Sequence, residues 1–377
     1  MTTGRVWSYA WVLAAAIAAM TIAQGVGRFI LTPLLPAMQQ AGGLDAAAAG
    51  LVGSANFAGY LAGALVATAL PVRARSLVLG GGVLVVIGTL LTAADPAWWL
   101  IGRAIAGFGG AFVFVACGSA GPAMLERAGR PERVLHIYTG VGVAIAGTGL
   151  LALMAGPAAD RVWLLAGVLA LVLLPLAALL DAPAPKLGTT MAGSVAVGPL
   201  LRVLVAYGAV SFGFGAGGTF FVRVFSGGDA LVATLAWIAA GVIMAPSVLI
   251  WARIATRHGP SRAVVMTGVI HALGLGIAVI STAPIPATVA GVLLGASFMG
   301  VTALCLGRVR AYAPGHGQRA IAVATVVFGI GQVAGPLVAG PLLDATGTPA
   351  AAFGLAAFIT LAGALTVLPD ARREGAR

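Results

Sequence analysis

Four polar residues near the start of the chain carry the clearest potential for chemistry. Thr21, Gln24, Arg28 and Thr32 follow one another at spacings of three, four and four within an apolar stretch. On an α-helix that spacing places all four on one face. Every position from Phe29 to Ala37 is uncharged, so the Arg28 guanidinium has no short route to water. A guanidinium held among apolar residues needs acceptors or a counter-charge. Arg28, with Gln24 and Thr32 beside it, is therefore expected to face an internal cavity and bind an anionic group. Bonding of Arg28 to neighbouring carbonyls, a purely structural role, is the competing reading. Pro33 and Pro36 remove backbone donors and are placed to bend this segment.

Further candidates sit in other apolar segments. Asn56 and Tyr60, and likewise Tyr207 and Ser211, are i, i+4 pairs, and Thr325 and Gln332 share a third segment. Each could line the same cavity or bond between helices. Arg103 lies a turn inside Trp98 and Trp99, where snorkelling and an internal role are both open, whereas Arg223 reads as snorkelling. His271, one turn after Thr267, is the leading titratable group inside an apolar segment. The carboxylates map to segment ends: Asp45, Asp95, Asp160, Asp229 and Asp344 on one side, Glu126, Glu132, Asp181, Asp370 and Glu374 on the other. With no acid to neutralise Arg28 and Arg103, an anionic solute is the economical partner. No nucleophile–base pair or His/Cys/Asp/Glu cluster is visible, so neither catalysis nor a metal site is expected. The only lysine, Lys186, lies in no Gly-rich phosphate loop, which argues against nucleotide-driven work.

The elements that must position these residues are dictated by lipid. Of the 377 residues 60% are apolar and 8% charged, with a mean hydropathy of +1.06, against about 45–50% and about 25% in soluble domains. So few charges cannot cover a water-facing surface. A helix needs about 20 residues to cross the hydrocarbon core, and twelve spans are expected, at roughly 8–38, 46–70, 76–94, 97–120, 134–156, 162–180, 203–225, 231–251, 263–282, 287–307, 320–342 and 349–368. An even number puts both termini on one side. With the N-terminus inside, all of the 21 Lys and Arg fall in cytoplasmic segments except Arg28, Arg103, Arg161 and Arg223, as the positive-inside rule requires. The net charge of +11 is thus a record of topology. No basic helix face interleaved with aromatics appears, so nucleic acid is not an expected partner. Cys117 and Cys305 both fall in apolar spans, so no disulfide framework is expected, and the first stretch reads as too long for a cleavable leader.

The two halves repeat. Ala155-Gly156-Pro157-Ala158-Ala159-Asp160 closes span five and Ala339-Gly340-Pro341-Leu342-Leu343-Asp344 closes span eleven; Gly107 and Cys117 of span four answer to Gly295 and Cys305 of span ten. Six spans per half make the repeats parallel, related by an axis along the membrane normal. Residues 1–180 and 202–377 are expected to form two six-helix bundles joined by a cytoplasmic linker over 181–201, which holds Pro183, Pro185 and Lys186.

Six plus six spans with a central linker resembles the major facilitator superfamily. Arg103-Ala-Ile-Ala-Gly107-Phe-Gly109-Gly110 resembles its fourth-helix Arg-xxx-Gly-x-Gly signature, and Arg253-Ile-Ala-Thr-Arg257-His258-Gly259-Pro-Ser-Arg262 resembles its basic loop, with Thr256 where Asp is usual. The first-half loop, Pro71-Val-Arg73-Ala-Arg75, also lacks the acid. Gly25-Val-Gly27-Arg28-Phe29-Ile-Leu-Thr32-Pro33-Leu-Leu-Pro36-Ala-Met38 is similar to the first helix of the YbfB/YjiJ-type facilitators, and Gly329-Ile-Gly331-Gln332-Val-Ala-Gly335-Pro336 fits the eleventh helix of many members. The resemblance covers the whole chain. It implies an all-α membrane protein of two pseudo-symmetric bundles, and secondary transport without a named cargo. It also implies a part for Arg103 in proton coupling, for which the residues themselves offer His271; the missing acids leave the usual charge relay of these loops without its carboxylate.

The expected function is movement of a small, anionic or polar solute across the inner (plasma) membrane by alternating access, as a monomer, without a cofactor, with protons as a further partner and both termini cytoplasmic. The expected solute-binding residues are Arg28, Gln24, Thr32, Asn56, Tyr60, Arg103, Tyr207, Ser211 and Gln332. The alternatives are export of a largely apolar compound and, from another class, a non-transporting membrane receptor. An intramembrane enzyme fits the residues least.

Overall fold

The computed structural model describes residues 7–156, 158–183, 193–227 and 229–375. Arg5, Pro157, Pro185, Lys186 and Arg377 lie outside the described residues. Among the described residues, twelve helices are long and apolar enough to cross a membrane. They are α1 (Tyr9–Gly42), α2 (Ala46–Ala69), α3 (Ala74–Ala94), α4 (Trp99–Arg127), α5 (Leu135–Ala155), α6 (Ala159–Ala177), α7 (Val197–Phe225), α8 (Ala230–His258), α9 (Pro260–Ile280), α10 (Pro284–Tyr312), α11 (Gly317–Thr346) and α12 (Pro349–Leu365). A short α13 (Leu368–Gly375) follows. No strand occurs among the described residues.

Several helices outrun the expected spans. α4, α8 and α10 continue to Arg127, His258 and Tyr312, several residues beyond the apolar core. Hydropathy senses only the segment in lipid, whereas basic residues in a last turn interact favourably with the free carbonyls and prolong the helix. The larger correction concerns α1. Its middle, Thr21–Phe29, is a π-helix between α-helical Tyr9–Met20 and Leu31–Gly42. The Ile30 amide donates to Gly25 O, five residues back, at 2.9 Å. The single α-helical face expected for Thr21, Gln24, Arg28 and Thr32 is therefore broken. Wide turns of this kind are uncommon and concentrate at functional sites.

Glycine sets how the helices pack. A Cβ at Gly59 or Gly63 of α2 would run into the Ala104 or Phe108 carbonyl of α4. In the second half, Gly291 and Gly295 of α10 stand in the same way against the Ala236 and Ala240 carbonyls of α8. Small residues let backbones touch where no hydrophobic force drives association. Between the halves, α2 packs on α11 and α5 on α8. At the second crossing Gly142 faces Gly241 and Ala245, and Gly241 faces Gly142 and Ala146, backbone against backbone.

On the face that carries the chain ends, carboxylates from after α6 and α12 tie the helices down. Arg73 pairs with Asp181 at 2.6 Å and Arg202 with Asp370 at 2.5 Å. Glu374 of α13 accepts from the Ser261 amide at 3.0 Å and its hydroxyl at 2.9 Å, and pairs with Arg308 at 2.8 Å. The acids missing from the two basic loops are thus answered by acids elsewhere in the chain.

Candidate functional site

The π segment of α1 is wedged against two neighbours. A Cβ on Gly25 would press on Thr148 and Ala144 of α5, and one on Gly27 would approach Ala106 and Gly110 of α4. A side chain at either position would make the neighbours give way, which glycine avoids. The wide turn presents the Gly27 carbonyl to α2 and α4, where it accepts from Asn56 Nδ2 at 2.7 Å and from Arg103 Nη2 at 2.6 Å. Asn56 Nδ2 also donates to Arg103 O at 2.8 Å. Asn56 and Arg103 are both sealed from solvent, and the Arg103 guanidinium lies 4.8 Å from the centre of the Trp163 ring. Arg103 does not snorkel. It and Asn56 hold the backbone on which Arg28 stands.

Arg28 points the other way, toward the second half. Its Nη1 donates to Gln24 Oε1 at 3.0 Å and its Nη2 donates to Gln332 Oε1 of α11. Gln24 Nε2 donates to the Tyr60 hydroxyl at 3.2 Å. The guanidinium is caged by the rings of Tyr60 at 4.1 Å, Phe29 at 4.9 Å and Phe57 at 5.0 Å. Cation–π contact of this kind contributes roughly 0.5–2 kcal/mol per ring face when desolvated. Arg28 Nε and Gln332 Nε2 are buried without a partner. No carboxylate bonds to Arg28 or Arg103 among the described residues.

Around this pair, aromatic rings form a layer. Phe29 meets Phe214 edge-on at 5.5 Å, Phe214 stacks on Phe298, Phe298 lies 6.2 Å from Phe328, and Phe328 packs on Tyr207 at 4.6 Å. Ser211 donates to Phe328 O, and Thr32 to Gly218 O across the halves. His271 is fully buried behind the layer, its Nδ1 2.9 Å from Ser297 Oγ and its Nε2 unpartnered.

Of the residues expected at one site, the structure gathers Gln24, Arg28, Tyr60 and Gln332 around one guanidinium and sets Tyr207 and Ser211 beside them through Phe328. Asn56 and Arg103 lie behind α1. Thr21 bonds to Ile17 O, outside the cluster. Arg223 is half-buried near the Phe220 ring, and Thr325 donates to Ile321 O of its own helix. Sequence reasoning missed Phe29 and Phe57 as cage rings, because an aromatic in an apolar segment carries no mark of its partner. It also missed Asp344. Asp344, at the end of α11, accepts from the Ala46 amide at 2.9 Å and the Ala47 amide at 2.7 Å, capping α2 of the opposite half, while Asp45 caps Ala48 at 2.7 Å. Ser54 Oγ adds a bond to Val333 O at 2.8 Å. Every side-chain hydrogen bond between the two sets of six helices, among the described residues, lies between mid-helix and the face opposite the chain ends.

Gly107 tests this scaffold. A Cβ there would overlap the Asn56 carbonyl, and overpacking costs typically about 1–3 kcal/mol. Gly107→Val is expected to lower the melting temperature of the detergent-solubilised protein by several degrees. An unchanged melting curve would mean that α2 and α4 do not pack as described.

A family model described as "Uncharacterised MFS-type transporter YbfB" matches residues 20–368. The structure is similar to the crystal structure of the nucleoside transporter NupG in a variant form, with a TM-score of 0.73 and 14% identity over 95% of this chain and 99% of that one. At that identity the likeness shows the fold alone. No curated protein matches the sequence.

Proposed function

The chain belongs to the YbfB-type family of major facilitator (MFS) transporters, and on that premise we propose that it moves a small anionic or polar solute through a mid-membrane site centred on Arg28. The family places the protein in a membrane with a small molecule as its cargo. The observation that carries the finer reading is the buried Arg28–Gln332 bond. It joins the two sets of six helices at mid-depth through a cation that no acid neutralises. An ion there costs about 2.5–3.5 kcal/mol even on the lenient insertion scale, and the two amide oxygens and three rings that hold it still leave its Nε without an acceptor. Residues up to 180 and from 202 onward act as two bodies that rock about this site, linked through 181–201. With the side-chain bonds between the halves running from mid-helix to the face opposite the chain ends, and none toward the other face among the described residues, the described conformation is closed on the opposite face. The Arg clusters favour the cytoplasmic side of the inner (plasma) membrane for both termini.

We assign proton coupling to His271. Its ring is buried against Ser297, Phe214 and Phe298, and one nitrogen is free to take a proton. Reconstitution into vesicles, with a panel of labelled organic acids, sugars and amines, tests the reading: at least one solute should exchange across the bilayer. Its rate should vary with pH in the parent protein and be flat in His271→Gln. A pH profile identical in the two proteins removes His271 from the cycle.

A further inference from the structure

The geometry points to a monocarboxylate with a flat, apolar body as the solute class, an inference that rests on the reading of Arg28 as the solute-facing cation.

Three observations converge. The first is charge. Arg103 gives its Nη2 to the Gly27 and Val26 carbonyls behind α1, and its unpartnered Nε and Nη1 lie there with it, leaving Arg28 as the one guanidinium bonded across the junction of the halves among the described residues. One unneutralised cation matches one anionic group. The second is the count of free donors. Arg28 uses Nη1 on Gln24 and Nη2 on Gln332, and its Nε is without an acceptor, as is Gln332 Nε2. Two orphaned N–H groups, one from each half, are what the two oxygens of a single carboxylate satisfy. The third is what surrounds them. Phe29, Phe57 and Tyr60 cage the cation and Phe214, Phe298 and Phe328 continue the layer. A second carboxylate would enter that layer with no second cation to meet it. A sugar would bring several hydroxyls to a region where Ser211 and Thr32 already donate to backbone carbonyls. A cationic solute would meet Arg28 itself.

The bond between the halves then becomes part of recognition. Gln332 Oε1 occupies the position on Arg28 Nη2 that a carboxylate oxygen would take. On arrival of the solute, the Gln332 amide turns over and offers Nε2 instead. One carboxylate thereby bridges Arg28 and Gln332, and the link between the halves changes from a direct bond to a bond through the solute.

Benzoate is the test probe, with acetate, succinate, glucose and choline beside it, in counterflow with purified protein in proteoliposomes. Benzoate should exchange at least tenfold faster than acetate, and the other three should stay at background. Arg28→Ala and Gln332→Glu should each lose benzoate exchange at least tenfold, the second because its own carboxylate fills the place on Arg28. Both variants should keep the parent elution profile in size-exclusion chromatography. Misfolding of Gln332→Glu would shift the test to Gln332→Leu, for which the same loss is expected. Faster exchange of succinate, glucose or choline than of benzoate overturns the class, as does background exchange of all five. A thiol placed by Ala47→Cys separates this failure from a wider one. If its maleimide reactivity responds to some other solute, transport stands and only the class falls. If it responds to no solute in a broader panel, both fall.

Discussion

Arg28→Ala is expected to lower solute exchange by about tenfold to a hundredfold, since a hydrogen bond to a charged group contributes about 1.5–3 kcal/mol and each 1.4 kcal/mol is a factor of ten. Insertion should not suffer. Removing a guanidinium from the middle of a span relieves its cost in lipid, and Gln24 and Tyr60 remain bonded to each other. The variant should therefore reach the membrane in parent amounts and elute as a single species. Arg28→Lys should recover little, because an ammonium is a point charge and cannot serve Gln24 and Gln332 through two separate N–H groups in one plane. Initial rates in vesicles, normalised to protein, decide the matter. A rate for Arg28→Ala within twofold of the parent would show that the solute never meets this residue.

The second large effect is expected at Asp344. Its carboxylate bonds two amides at the start of α2, where the helix N-terminus favours a negative charge. Losing a charged bond of this kind costs about 1.5–3 kcal/mol, and here that energy favours one conformation over another rather than folded over unfolded. Asp45 still caps Ala48, so α2 itself should persist. Asp344→Ala should raise the reactivity of Ala47→Cys toward an impermeant maleimide, added from the face opposite the chain ends, by about tenfold or more, following the same energy. Equal reactivity in the two backgrounds would show that Asp344 does not hold that face shut.

How much of this was legible beforehand follows from what lipid does and does not enforce. It enforces length and polarity on every crossing segment, so the number of helices and the spacing of basic loops could be read directly from hydropathy and charge. It says little about which side of a helix meets which neighbour. Asn56 and Tyr60, one turn apart on α2, looked equivalent, yet one bonds backward to Gly27 and Arg103 O and the other lies over Arg28. The α-helical repeat of Gln24 and Arg28 is equally compatible with a wide turn, because residues four apart stay in contact in both, so the π segment left no trace in the spacing. Gln332 could be selected only for being polar, and its partner is 304 positions away. Asp344 had been placed correctly at a helix end, but an acid at a helix end carries no sign that the helix it caps belongs to the other half of the molecule.

The glycine-lined crossing of α5 on α8 has a consequence for motion. Interlocked side chains resist sliding because each must climb out of its socket, as teeth do in a gear. Where Gly142 meets Gly241 and Ala245, main chain lies on main chain and there are no teeth. In a swing of the two halves this stretch would act as a plain bearing, close-fitting yet free to turn, whereas farther along the same crossing the Ile238 side chain seated at Gly149 would have to lift out of its socket.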